Sequence, residues 1–329
     1  MRGVGIESFG DAGSLGLQDW PQPDPGPGEA RVRIAIAGVN YIDVYMRSGQ
    51  YAKSDTYKTT LPMLIGMEGS GTVDAIGPGA EGIAVGDRVA WCLSRGSYAE
   101  YAVVPAWKLV RVPDDVDWRI ATALQLQGST AHYLTHSLFA VQAGHTCLVH
   151  AGAGGVGQLL VQLAKARGAR VIATVGSEEK AQIARSCGAD HTVLYRSVDF
   201  QQAVRELTGG AGVDVVYDSV GRDTVHRSIR CLKRRGTCVM FGASSGQVDG
   251  IAPLELAEAG SVFFTRPHLA DYLQPHEVRQ RAAELFALLA RGALRVAIDR
   301  SFPLADAAFA HRYIEGRNTR GKLLLDVAA

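Results

Sequence analysis

The chain has 329 residues, 47% of them hydrophobic and 20% charged, with 34 Lys and Arg against 33 Asp and Glu. That balance excludes a disordered or fibrous chain, and it supplies no global field to draw in nucleic acid or an anionic membrane. Single hydrophobic cores stop growing near ~250–300 residues, so two domains are expected.

The opening MRGVGIESFG lacks an apolar signal core, and no apolar run approaches the ~18 residues of a membrane span, which points to a cytoplasmic protein. Cys92, Cys147, Cys187, Cys231 and Cys238 are scattered and have no Cys-x-x-Cys spacing. A disulfide framework or structural zinc site is therefore disfavoured. The Pro/Gly-rich stretch 21–30 (PQPDPGPGEA) reads as a surface loop.

Segments 31–39, 71–76, 87–92 and 98–104 are short, partly alternating and separated by Gly-rich turns. They predict a mainly antiparallel β domain. Near residue 125 the rhythm changes to buried-strand runs at 146–150, 170–175, 191–195, 213–218, 237–241 and 261–265, with stretches of helical period between them. Six strands alternating with helices predict a doubly wound parallel sheet, an α/β Rossmann fold.

Between the first two runs, VGQLLVQLAKARGA places Leu159, Leu163 and Ala166 on one helical face and ends at Gly168. After about residue 268 the alternation stops. An amphipathic helix (HEVRQRAAELFALLARGAL) and a strand around 295–302 follow, and this tail is expected to rejoin the first domain. The predicted domains are 1–124 together with 268–329, and 125–267.

Within AGAGGVG, Gly152, Gly154 and Gly157 satisfy G-x-G-x-x-G between a predicted strand and a predicted helix, with Gly155 and Val156 inside the turn. Such glycines give a tight turn, close backbone approach to a pyrophosphate and close helix packing. NAD sites place a carboxylate at the end of the second strand, against the ribose 2′-hydroxyl. Here Gly176 and Ser177 stand there, with Lys180 one turn on. A hydroxyl and a cation accept a 2′-phosphate where a carboxylate would repel it, so NADPH is favoured, although Glu178 and Glu179 keep NADH open.

The β-rich opening, GMEGSGTVDAIG, GDRV, AGAGGVG and the returning C-terminal segment occur in the order that marks the medium-chain dehydrogenase/reductase superfamily, which the chain resembles over essentially its full length. The resemblance implies a GroES-like catalytic domain beside the Rossmann domain. Zinc alcohol dehydrogenases of that superfamily hold catalytic zinc with Cys, His and Cys. The matching positions here carry Asn40, Met67 and Gln127, none a good zinc ligand, and the four-cysteine lobe is missing, while Glu68 remains.

NYIDVYMRSGQY, VYDSVGRDT, CLKRRG, FGASSG, FTRP and GRNTRGKLLL resemble the bacterial, zinc-free NADPH:quinone oxidoreductases more closely. That likeness implies that Asn40, Tyr41, Ile42, Asp43 and Tyr45 border the nicotinamide, with Thr130 near the cofactor. It puts Ser177, Lys180 and Tyr195 around the 2′-phosphate. Ser219, Phe241, Gly242, Ser244, Phe264, Arg266 and Arg317 would line the remaining cofactor groove. It also suggests a homodimer, with SVFFTRP a candidate edge strand. The chain departs from the family in its long polar loop 50–62 (QYAKSDTYKTTLP), beside the expected substrate entrance.

A quinone needs less electrophilic help than a ketone, because its reduced oxygen is a phenolate rather than an alkoxide. The site must then supply orientation and hydrogen-bond donors. Asn40, Tyr45 and Gln127 fill or adjoin the vacated ligand positions and are the candidates, with no metal and no obligatory general base. Gln127 is otherwise a helix-cap or core amide, and Tyr45 a packed aromatic.

A small quinone or conjugated carbonyl compound is the expected partner. The alternatives are a reductase of enoyl or alkenal double bonds and a non-catalytic NADPH- or RNA-binding protein. His132 and His136 have i, i+4 spacing, but with no third ligand evident they read as packing. Lys233, Arg234 and Arg235 read as cations at a helix end rather than a nucleic-acid patch.

Overall fold

The computed structural model describes residues 1–57 and 59–327. The chain divides into two compact units: Met1–Ser129 with Leu273–Ala287 and the segment from Val296 on, and Thr130–Tyr272 with Leu288–Arg295. No helix is long and apolar enough to cross a membrane among the described residues.

The first unit is built on a mainly antiparallel sheet. The long strand Glu29–Val39 alternates buried and more exposed residues along most of its length, and pairs antiparallel with Glu68–Ile76, Tyr101–Pro105 and Lys322–Asp326. The Arg88–Cys92 and Val110–Arg111 strands continue the sheet on one side, and Ile298–Pro303 adds a parallel edge on the other. The C-terminal segment thus returns to the middle of this sheet. A three-stranded sheet of Arg2–Ile6, Gly16–Asp19 and Met63–Leu64 was not foreseen. Its strands are only five, four and two residues long, too short for a clear period of two.

The second unit is a six-stranded parallel sheet in the order His191–Leu194, Arg170–Val175, Thr146–Val149, Val213–Asp218, Leu232–Met240, Phe263–Thr265. The order reverses beside Thr146–Val149, which is the switch point where doubly wound folds bind ligands. Leu148, Ile172, Val213, Val216, Val225 and Ile229 are buried in its core. Each fully buried aliphatic side chain of this kind contributes ~1.5–3 kcal/mol.

At two places the backbone departs from the local sequence pattern. In the helix Gly155–Ala166 the buried face runs through Leu159, Leu160, Leu163 and Ala164, while Ala166 is exposed. At the last helical residue the chain is already turning toward Gly168 (φ +80°), so helical phase no longer decides burial. Lys233, Arg234 and Arg235 lie in the strand Leu232–Met240, not at a helix end. The preceding helix stops at Ile229, Arg235 adopts φ +61°, and the ladder with Val213–Asp218 shifts register there. Lys233 pairs with Asp214.

Candidate active site

In the first unit the sheet register assembles a buried polar cluster. Leu323 lies opposite Val39, and Gly69 opposite Ala37, so Lys322, Asn40 and Glu68 start from three adjacent strands. Glu68 and Lys322 are both fully buried and form an ion pair. The Lys322 ammonium also donates to Asn40 Oδ1 at 2.7 Å, and Asn40 Nδ2 donates to Glu68 Oε2 at 2.9 Å and to the Gly38 carbonyl at 3.4 Å. The other Glu68 oxygen accepts the Leu126 backbone N–H at 2.6 Å. That bond anchors the π-helical turn Leu124–Gly128, which carries the buried Gln127. A β-carbon on Gly38 would overlap the Glu68 carboxylate, so only glycine lets the cluster close.

These residues do not fit a metal. A carboxamide at position 40, a thioether at 67 and a carboxamide at 127 are poor zinc donors, and Lys322 places a positive charge beside Asn40 and Glu68, where a dication would be repelled.

A second buried chain holds the short helix Tyr41–Arg47. Asp43 Oδ2 accepts the Asn40 N–H at 2.8 Å and the Tyr98 hydroxyl at 3.2 Å. Tyr98 in turn meets His311 Nε2 at 3.1 Å, and Arg47 reaches His311 Nδ1 at 3.3 Å while holding Glu315 at 2.7 and 3.0 Å. Because Arg47 can only donate, His311 Nδ1 is the acceptor and its proton sits on Nε2. Burial, reinforced by Arg47, keeps that imidazole neutral and pushes it down to about 3. The Tyr41 hydroxyl adds a bond to the Ile314 carbonyl at 3.0 Å.

Burial pushes Asp43 up to about 7, against its Asn40 bond and the field of Lys322, and its Oδ1 is buried without a hydrogen-bond partner. A carboxyl raised from 3.8 stays protonated in the native chain while the unfolded chain releases its proton. It therefore takes away stability as pH rises from about 4 to 7. Asp43→Asn removes this slope. Its stability relative to the parent is expected to climb by about 1.4 kcal/mol per pH unit over that window in urea titrations, and a flat difference contradicts the assignment.

Tyr45 is buried in an aromatic row: Tyr41 to Tyr45 at 6.0 Å, Tyr45 to Tyr51 at 5.6 Å and Tyr51 to Tyr57 at 5.0 Å between ring centroids. The atypical loop 50–62 contributes the last two rings, and its Lys58 lies outside the described residues. Arg317 is exposed, just beyond the helix Ala307–Glu315, with φ +56°.

In the second unit the expected cofactor residues gather at the carboxyl ends of the strands. A β-carbon on Gly157 would overlap the Ala151 carbonyl oxygen, and one on Gly152 would sit 2.7 Å from Ala173 Cβ. Gly154 caps the helix Gly155–Ala166, whose first turn presents the Gly155, Val156 and Gly157 N–H groups. This backbone cradle fits a pyrophosphate.

At the end of the second strand, a β-carbon on Gly176 would lie 2.9 Å from the Tyr195 hydroxyl and 3.4 Å from Arg196 Nε. Ser177 caps the helix Glu178–Ser186 and accepts the Lys180 N–H at 3.3 Å. Ser177, Lys180 and Tyr195 thus share one corner with Arg196, which sequence reasoning missed although it adjoins Tyr195. A β-carbon on Gly242 would sit 2.7 Å from the Ser219 carbonyl oxygen, so the segments carrying Ser219 and Phe241 to Ser244 touch. Asp218 organises the loop after its strand by accepting the Val220 and Gly221 N–H groups and the Thr224 and Ser228 hydroxyls. Phe264 and Arg266 are half-buried and Thr130 is buried. His132 and His136 stack at 4.0 Å.

Residues 26–114 match the model of the alcohol dehydrogenase GroES-like domain, and 155–290 that of the zinc-binding dehydrogenases. The chain is 42% identical over 293 residues to the 2-haloacrylate reductase of a Burkholderia species, covering 88% of this chain and 87% of that one. It is 42% identical to the quinone oxidoreductase of Pseudomonas aeruginosa, covering 88% of each. The crystal structure of Escherichia coli quinone oxidoreductase complexed with NADPH superposes with a TM-score of 0.95 at 38% identity, covering 99% of this chain and all of the other.

Proposed function

Because the chain belongs to the quinone oxidoreductase family of the medium-chain dehydrogenase/reductase superfamily, we propose that it reduces quinones with NADPH and without a metal. The observation that carries this reading is the buried ammonium of Lys322 beside Asn40 and Glu68, where the positions that match zinc ligands hold two carboxamides and a thioether. NADPH, once bound, supplies the hydride.

The glycine turn at 152–157 holds the pyrophosphate, and Ser177, Lys180, Tyr195 and Arg196 hold the 2′-phosphate. Thr130, Ser219, Phe241, Gly242, Ser244, Phe264, Arg266 and Arg317 complete the cofactor contacts in this reading. Asn40, Tyr41, Ile42, Asp43 and Tyr45 border the nicotinamide. Asn40, Tyr45 and Gln127 orient the acceptor and donate hydrogen bonds to the oxygen on which charge develops. None of them has to ionise, and water protonates the product.

Removing both cations from the adenosine corner, in Lys180→Ala/Arg196→Ala, is expected to lower kcat/KM for NADPH by about 10–100-fold, each charge-assisted bond contributing ~1.5–3 kcal/mol before solvent screening. NADH kinetics stay within about threefold. Equal losses with both cofactors contradict this placement.

A second reading is favoured by the likeness to a 2-haloacrylate reductase: the same hydride delivered to a conjugated carbon–carbon double bond. Parallel assays with a quinone, a 2-alkenal and 2-chloroacrylate separate the two. Phe263–Thr265 is the last strand of its sheet and exposes Phe263, which supports a homodimer joined through that edge. Sedimentation of Phe263→Asp at half the parent mass supports that edge, and an unchanged mass rejects it.

A further inference from the structure

Asn40 cannot orient a substrate by itself: an isolated carboxamide rotates and exchanges its oxygen with its nitrogen. In this chain three contacts remove that freedom. The Lys322 ammonium donates to the carbonyl oxygen at 2.7 Å, and the amide nitrogen donates to the Glu68 carboxylate at 2.9 Å and, through a longer contact of 3.4 Å, to the Gly38 carbonyl.

A cation on the carbonyl oxygen draws electron density from the nitrogen and strengthens both N–H donors. The 3.4 Å contact is the weaker of the two, so the amide keeps donor capacity that it can give to a ligand. Glu68 also pins the Leu126 N–H, next to Gln127. Neither Lys322 nor Glu68 is exposed, so neither reaches a substrate.

We propose that Lys322 is a positioning residue which, paired with Glu68, locks and polarises the Asn40 carboxamide so that one amide hydrogen is directed to the acceptor. The ion pair does with a tethered ammonium the organising work that a bound metal does in a zinc site. The catalytic part of this inference rests on the proposed reductase activity, whereas the locking of Asn40 does not.

The test therefore begins with a readout independent of turnover. In protein labelled with [15N]asparagine, which marks only Asn40 and Asn318, the Asn40 side-chain pair, assigned by its loss in Asn40→Ala, is expected to exchange with solvent at least tenfold more slowly than that of the exposed Asn318. Exchange at the solvent-exposed rate overturns the proposal in the parent protein, before any variant is made.

The neutral pair Glu68→Gln/Lys322→Met then avoids leaving a lone buried charge. It is expected to bind NADPH within threefold of the parent, to lose the protected Asn40 signals, and to show kcat at least tenfold lower with 1,4-benzoquinone. Adding Asn40→Ala to this pair should cost nothing more. A triple variant whose loss equals the product of the Asn40→Ala loss and the pair's loss shows that Lys322 acts independently of Asn40, and overturns the proposal. If the parent turns over neither quinone nor alkenal, the functional reading fails while protected Asn40 resonances still support the lock.

Discussion

Gly157→Ala is expected to weaken NADPH binding at least ~100-fold, a loss of ~2.7 kcal/mol, while the rest of the chain stays folded. The cause is steric. The new methyl group would overlap the Ala151 carbonyl oxygen and lie 2.9 Å from Gly152 Cα, both backbone atoms that no rotamer change can move. The turn must open, and the N–H groups proposed to hold the pyrophosphate lose their common direction. Fluorescence enhancement of bound NADPH measures the affinity, and far-ultraviolet circular dichroism checks the fold. Binding within threefold of the parent would remove the glycine cradle from the account.

The second large effect is on stability. Lys322→Met should destabilise the first unit by ~3–5 kcal/mol, because it leaves the fully buried Glu68 carboxylate without its cation. Glu68→Gln in the same chain should restore most of that loss, since two neutral side chains of similar volume need no compensating charge. Trp20, Trp91, Trp107 and Trp118 all lie in the first unit, so tryptophan fluorescence during urea unfolding reports on this unit selectively. A double variant as unstable as the single one would mean that Lys322 acts through packing of its stem instead of its charge.

Much of this arrangement is written locally. The glycine turn and the six strand runs are each read from a few neighbouring residues, because local spacing is what a sequence displays, whereas the three poor ligands at 40, 67 and 127 are located by the family resemblance. Lys322 is different. It is 282 residues from Asn40 and 254 from Glu68, and within GKLLL it looks like an ordinary lysine at the start of a strand. Only the antiparallel register of Lys322–Asp326 against Glu29–Val39 brings it to the cluster.

The same holds for Asp43, Tyr98 and His311, which meet across 55 and 213 residues. Arg196 was within reach, one residue past Tyr195, but nothing in its spacing distinguishes it from a surface cation. Ala166 and the 233–235 cluster were misplaced where helical phase runs out or a positive-φ residue bends a strand, both consequences of backbone geometry rather than residue type.

The central claim is NADPH-dependent reduction without a metal, and NADPH oxidation at 340 nm with 1,4-benzoquinone, with and without chelator and repeated with NADH, tests it most directly. The account predicts quinone turnover that prefers NADPH and is unchanged by chelator. Turnover lost with chelator and restored by zinc would contradict it.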